Sequence, residues 1–172
     1  MARSLTSSDK SVSKLLSARD GRQDALAQAL SQGVQSTIFL ALNIPGPDKQ
    51  LSGSHALFLW ALAEVGQHFH ELTRLESGSD ALGDYAIVGV NQEPAAVKQQ
   101  CMMLEAAQPA ARLIDLDVYS ANGKQVDRKS LGFSARPCLL CDEDAVECMR
   151  VQRHFPHEVI AKVHEFLAPF RP

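Results

Sequence analysis

The stretch Arg112–Ser120, RLIDLDVYS, decides the fold. Side chains alternate along a strand, so Ile114, Leu116 and Val118 share one face. Leu113, Asp115, Asp117 and Tyr119 share the other. The first face suits burial beneath helices. The second sets two carboxylates side by side, about 7 Å apart along the strand. Asn122-Gly123 then makes a hairpin turn, with a returning strand over Lys124–Arg128.

Upstream, Asp84–Val90 (DYAIVGV) reads as a strand, preceded by a turn at Gly78–Gly83 and a strand over Phe69–Glu76. Further back, Thr37–Ile44 alternates as a strand and is ended by Pro45-Gly46-Pro47. Two helices fill the gaps. One spans Ser52–His68, with Leu57, Trp60, Leu62 and Val65 on its apolar stripe. The other starts at Pro94, carries Val97, Cys101 and Leu104, and stops before Pro109. The order is strand–helix–strand–strand–helix–strand. The expected class is α+β with a ferredoxin-like βαββαβ core. Both helices then cover one sheet face, and the other face is free for a ligand or additional elements.

The flanks add a helix over Arg19–Ser31 and, beyond Pro137, a Cys-rich lobe with a short helix near Cys148 and a last helix from Pro156. Residues 1–14 are expected to be flexible. Residues 15–172 are expected to form a single catalytic domain.

Composition fits that reading. The chain has 172 residues, 45% hydrophobic and 22% charged, with 17 Lys+Arg against 20 Asp+Glu, a formal charge of −3. It lacks the basic excess of a dedicated nucleic-acid binder. It also lacks an apolar run of membrane-spanning length and an N-terminal signal block. A cytoplasmic protein with reduced thiols is expected.

The acidic pair carries the first chemical signal. Like charges this close are unfavourable unless neutralised. Mg²⁺ is the hard, oxygen-seeking ion that also binds phosphates, so Asp115 and Asp117 are candidate Mg²⁺ ligands. The bland alternative is a solvated strand, or acids paired to Arg112 or Arg128. Arg128, Lys129 and Arg136 follow closely and could hold a polyphosphate. No Walker-type or Gly-x-Gly-x-x-Gly loop occurs. Asp127, His154 and His55 are each candidate bases.

The second signal is Cys138-x2-Cys141-x6-Cys148-x5-His154. A zinc site of three cysteines and one histidine is physically sensible. Small buried thiols packing a compact lobe are the alternative. Cys101 lies on an apolar helical face and reads as core.

These motifs resemble the CitX family, the apo-citrate lyase phosphoribosyl-dephospho-CoA transferases (holo-citrate lyase synthases). The matching positions are Arg112, Asp115, Asp117, Val118, Arg136, Cys138, Leu139, Cys141, Cys148 and His154. SARDGRQ, with Arg19, Asp20, Arg22 and Gln23, resembles the family's N-terminal motif, and IPGPDK, with Gly46, Pro47 and Lys49, its Pro-Gly-Pro-x-Lys loop. A shorter likeness, Arg-x-x-Asp-Leu-Asp on a late strand, is to hydroxymethyldihydropterin pyrophosphokinase, which has a ferredoxin-like core and binds Mg²⁺ through this pair.

The resemblance implies a nucleotidyltransferase-type reaction. The donor is 2′-(5″-triphosphoribosyl)-3′-dephospho-CoA. The acceptor is a serine of the acyl carrier (γ) subunit of apo-citrate lyase, and diphosphate leaves. Arg112, Asp115 and Asp117 are the implied catalytic residues. Arg128, Lys129, Arg136, Arg19, Arg22 and Lys49 are the implied substrate contacts. Transfer to a malonate decarboxylase carrier and a non-catalytic zinc-stabilised binding module are the alternatives.

Overall fold

The computed structural model describes residues 7–172. It is a mixed α and β structure with one five-stranded antiparallel sheet. The strands are β1 (Ser36–Leu42), β2 (Thr73–Asp80), β3 (Gly83–Val90), β4 (Ile114–Ser120) and β5 (Gln125–Val126). Their spatial order is β2-β3-β1-β4-β5. Helices α1 (Ser7–Leu30), α2 (Ser54–His68), α3 (Pro94–Leu104), α4 (Ala145–Arg150) and α5 (Pro156–Leu167) complete the fold.

The alternation in β4 is realised. Ile114, Leu116 and Val118 are at most 1% exposed. They join Ile38 and Leu40 of β1 and Ala86 and Val88 of β3 in the main core. Leu57, Ala61 and Val65 of α2 cover that face, with Val97, Cys101 and Leu104 of α3 and Val163, Phe166 and Leu167 of α5. Leu116→Ala should therefore cost about 2–5 kcal/mol in a urea titration, as for other buried leucines.

The opposite face is partly covered by α1. Leu26 and Ala29 pack on Ile87, beside Phe39, Tyr85 and Tyr119. The α1 helix begins before the Arg19 start read from sequence. Residues 1–6 of the expected flexible terminus lie outside the described residues.

One strand differs from its sequence reading. The expected Phe69–Glu76 strand is instead β2 at Thr73–Asp80, and its turn is confined to Ala81 and Leu82. Phe69 is 1% exposed and caps the C-terminus of α2, its N–H donating to the Val65 carbonyl. Its apolar character serves the core rather than a strand. Gly78 reads as a turn residue, but within β2 it makes room for the Tyr85 ring, which a Cβ would meet at 2.9 Å. Residues 112 and 113, expected in the fourth strand, belong to a 3-10 turn, Pro109–Leu113. The returning strand shrinks to β5.

That short β5 leaves the outer edge of β4 open at Leu116. Two side chains from the α3 region close it. Lys98 Nζ donates to the Leu116 carbonyl at 2.7 Å, and the Leu116 N–H donates to Glu105 Oε1 at 3.0 Å. Both residues are buried, at 5% and 4% exposure. Buried backbone groups need partners, so this pair stands in for a missing strand. Lys98→Met should leave the Leu116 carbonyl unpaired and cost about 1–3 kcal/mol, read as a lower denaturation midpoint.

Candidate functional site

The site gathers at the end of the sheet where β1 finishes and β3 and β4 begin. Register places Tyr85, Ala41 and Asp115 in one row across β3, β1 and β4. Ile87, Phe39 and Asp117 form the next row. Side chains in a row share a face, so the acid pair lies on the α1 side of the sheet. Ala41 is the small member of its row. It separates Tyr85 on one side from Asp115 on the other.

Asp117 accepts from Gln125 Nε2 at 2.8 Å. Burial, then the neighbouring Asp115 charge, pushes the Asp117 carboxyl above its ordinary value. Asp115 lies 3.3 Å from Arg136 Nη2. Two carboxylates on one face, one of them desolvated and matched by a neutral amide, form a hard-oxygen donor set. That set fits Mg²⁺.

Behind the pair sits a buried ionic cluster. Glu105 receives Arg136 at 2.7 Å and Arg128 at 2.5 Å, while also holding the Leu116 N–H. Arg136 also donates to the Ile114 carbonyl at 3.1 Å. Arg136 therefore bridges Glu105 and Asp115, whereas Arg128 is turned to Glu105. Lys129 lies in a 3-10 turn after β5.

The remaining sequence candidates fall elsewhere around this end. Arg112 donates to the Pro137 and Cys138 carbonyls at 2.8 and 2.5 Å, tying the Cys lobe to the start of β4. Arg22 forks onto Asp80 with two 2.8 Å bonds, donates to the Gly83 carbonyl and lies 4.8 Å over the Tyr85 ring. Arg19 is exposed one helical turn earlier. Lys49 donates to the Ile44 carbonyl at 2.6 Å, and burial lowers its pKa. Arg22, over Tyr85, and Asp115 thus stand on opposite sides of Ala41 in β1. A cleft of about 540 Å³ opens on the α1 side, lined by Lys14, Ser17, Arg22, Gly78, Asp80 and Tyr85.

The candidate bases separate clearly. His55 Nδ1 pairs with Asp84 at 2.8 Å. Asp127 accepts from the Ser130 N–H at 2.6 Å; that bond first, then the Ser130 hydroxyl, lowers its pKa. His154 belongs to the cysteine group.

In that group, ligand atoms of Cys138, Cys141, Cys148 and His154 all lie within 4.8 Å of one another, a set that could hold a metal ion. Burial first, then the Cys141 and Cys138 thiols, pushes Cys148 up to about 11. Cys101 is 0% exposed in the main core, as its helical position predicts.

A family model for apo-citrate lyase phosphoribosyl-dephospho-CoA transferase matches residues 10–170. The chain belongs to the CitX family. One similar protein, the apo-citrate lyase phosphoribosyl-dephospho-CoA transferase of Citrobacter koseri, is 30% identical over 164 residues, 91% of this chain and 88% of that one. The probable transferase of that name from Vibrio cholerae is 40% identical over 78 residues, 44% of each chain. Protein CitXG of Haemophilus influenzae is 30% identical over 162 residues, 89% of this chain. The chain spans only 34% of the length of that CitXG protein.

Sequence reading missed three residues that hold the β4 edge or touch the acid pair: Lys98, Glu105 and Gln125. A signal existed for the first two. They stand seven positions apart beside the apolar stripe Val97–Cys101–Leu104, where charges must find buried partners. Among the described residues, no helix is long and apolar enough to cross a membrane.

Proposed function

We propose that this chain transfers the 2′-(5″-phosphoribosyl)-3′-dephospho-CoA group from its 5″-triphosphate to a serine hydroxyl of the apo-citrate lyase acyl carrier subunit. The family match over residues 10–170 carries this reading. The sheet row Tyr85–Ala41–Asp115 supports it chemically, because Arg22 lies over Tyr85 at one end and Arg136 beside Asp115 at the other. A ferredoxin-like core fits as well: the four long strands run in the order β2-β3-β1-β4 with antiparallel neighbours.

In the reaction the serine oxygen forms a bond to the phosphorus nearest the ribose. The bond from that phosphorus to the bridging oxygen of the leaving diphosphate breaks. The serine proton passes to a base or to water. Asp115 and Asp117 would hold Mg²⁺, which supplies charge neutralisation at phosphate oxygens. Arg136, fixed by Glu105, presents its guanidinium beside Asp115 and orients the phosphate chain. Arg22, paired with Asp80 and lying over Tyr85, supplies positive charge on the other side of Ala41. Such transfer depends on positioning and charge more than on covalent chemistry from the protein.

Ala41, between Tyr85 and Asp115, is the natural place to test this face as the donor site. Ala41→Phe should raise KM for the triphosphate donor about tenfold, equivalent to about 1.4 kcal/mol of lost binding. An unchanged KM in a folded variant would remove this face from the donor site. Acceptor choice is tested by measuring diphosphate release with the apo carrier of citrate lyase and with that of malonate decarboxylase. Faster release with the citrate lyase carrier is expected; equal or reversed rates would refute that assignment.

A further inference from the structure

We propose that Cys138, Cys141, Cys148 and His154 bind one structural Zn²⁺, and that this ion clamps the Cys lobe onto the start of β4. The ligands come from three separate pieces of chain: the Cys138–Cys141 turn, helix α4, and the segment before α5. Cys141 Sγ lies 3.6 Å from Cys148 Sγ and 3.3 Å from His154 Nε2. With Zn–S near 2.3 Å and Zn–N near 2.0–2.1 Å, a tetrahedron has edges of about 3.6–3.8 Å. The sulfur pair already has that spacing, and it is far beyond the ~2.05 Å of a disulfide. Three thiolates and one imidazole select zinc among common ions and leave no open position. The ion is therefore structural, and binding releases the thiol protons to solvent.

The lobe's poor apolar burial argues independently for a cross-link. Cys138 and Cys148 are buried at 8% and 4% exposure. Val146, Met149, Val151 and Phe155 remain 66%, 68%, 44% and 69% exposed. So small a core needs a staple. Local hydrogen bonds bring the ligands together but span little of the chain. Asp144 caps α4 through the Val146 N–H at 2.7 Å, and the Arg153 N–H returns to the Cys148 carbonyl at 3.0 Å. This turn swings His154 back towards Cys141.

The clamp reaches the acid pair through two arginines. Arg112 grips the Pro137 and Cys138 carbonyls, while Arg136, two residues before the first thiol, lies between Glu105 and Asp115. The zinc assignment stands apart from the transfer reaction and can hold if that reading fails.

Metal content separates the outcomes. Protein purified from zinc-supplemented cells should contain about one zinc per chain, closed by four ligands. Cys141→Ser should abolish it, and Cys101→Ala should not. Should the serine variant not fold, titrating the wild type with an organomercurial in the presence of a zinc-sensitive dye gives the second reading. Zinc should then be released as thiols are modified. Zinc-free wild-type protein, or zinc retained after Cys141→Ser or full thiol modification, would overturn the site. Hydrogen exchange tests the clamp. Stripping the metal should deprotect the Cys138 and Ala145 amides, which bond the Glu143 and Arg136 carbonyls, while β1 and β3 amides keep their protection. Unchanged exchange in the lobe would overturn the clamp.

Discussion

Asp117→Asn abolishes transfer while making the protein more stable at neutral pH. The catalytic loss should be at least a hundredfold in kcat, the scale for losing an electrostatic group aimed at developing charge. The stability gain follows from the environment of this carboxyl. Burial first, then Asp115, holds the Asp117 pKa above its ordinary value. For a carboxyl raised on folding, the stabilising contribution is complete below the unfolded pKa. It is lost as pH rises through the folded one. At pH 7 Asp117 therefore burdens the fold, and asparagine removes that burden while keeping an oxygen for Gln125. The gain should fade below about pH 4, where the wild-type group is protonated in both states. Mg²⁺ should raise the melting temperature of the wild type more than that of Asp117→Asn. Thermal melts at pH 4 and pH 7, with and without Mg²⁺, check all of this. A variant less stable than wild type at pH 7 would contradict it.

Glu105→Ala should have a large structural effect. Glu105 is 4% exposed and accepts from three groups: the Leu116 N–H, Arg128 and Arg136. Removing it leaves a buried N–H unpaired, takes Arg128's carboxylate away and leaves Arg136 with Asp115 and the Ile114 carbonyl. Breaking one side of a buried ion pair costs about 3–5 kcal/mol. The arginines are 23% and 24% exposed, so hydration recovers part of this and about 3 kcal/mol is expected. Glu105→Gln keeps an acceptor for Leu116 and should lose about half as much, because it forfeits only the charge-assisted part. Both variants should also weaken donor binding, since Arg136 loses the carboxylate that holds it beside Asp115. Urea titration measures the first effect and KM for the donor the second. A loss below about 1 kcal/mol for Glu105→Ala would place it with surface ion pairs instead.

Strong periodic signals were readable in the sequence and long-range pairings were not. The alternation of Ile114, Leu116 and Val118 against Asp115 and Asp117 located β4 and both of its faces. Local spacing alone gathered Cys138, Cys141, Cys148 and His154, because those ligands lie within one short stretch. By contrast, Arg128 and Arg136 read as a free phosphate cradle. Their partner Glu105 is 23 positions before Arg128, and no local pattern links them. Strand β2 was displaced because Phe69 looks like a strand residue, while the real edge strand ends in the weakly apolar Ser77-Gly78-Ser79-Asp80. Tertiary packing against Tyr85 makes that edge possible, and propensity does not carry it. The row Tyr85–Ala41–Asp115 arises only from strand register, which joins three segments far apart in the chain.

The most direct measurement is the intact mass of the apo citrate lyase carrier subunit after incubation with this protein, Mg²⁺ and 2′-(5″-triphosphoribosyl)-3′-dephospho-CoA. The predicted result is a carrier heavier by one phosphoribosyl-dephospho-CoA group on serine, with one diphosphate released per modified carrier. An unmodified carrier and no diphosphate, from protein that is folded and metal-loaded, would contradict the transferase assignment.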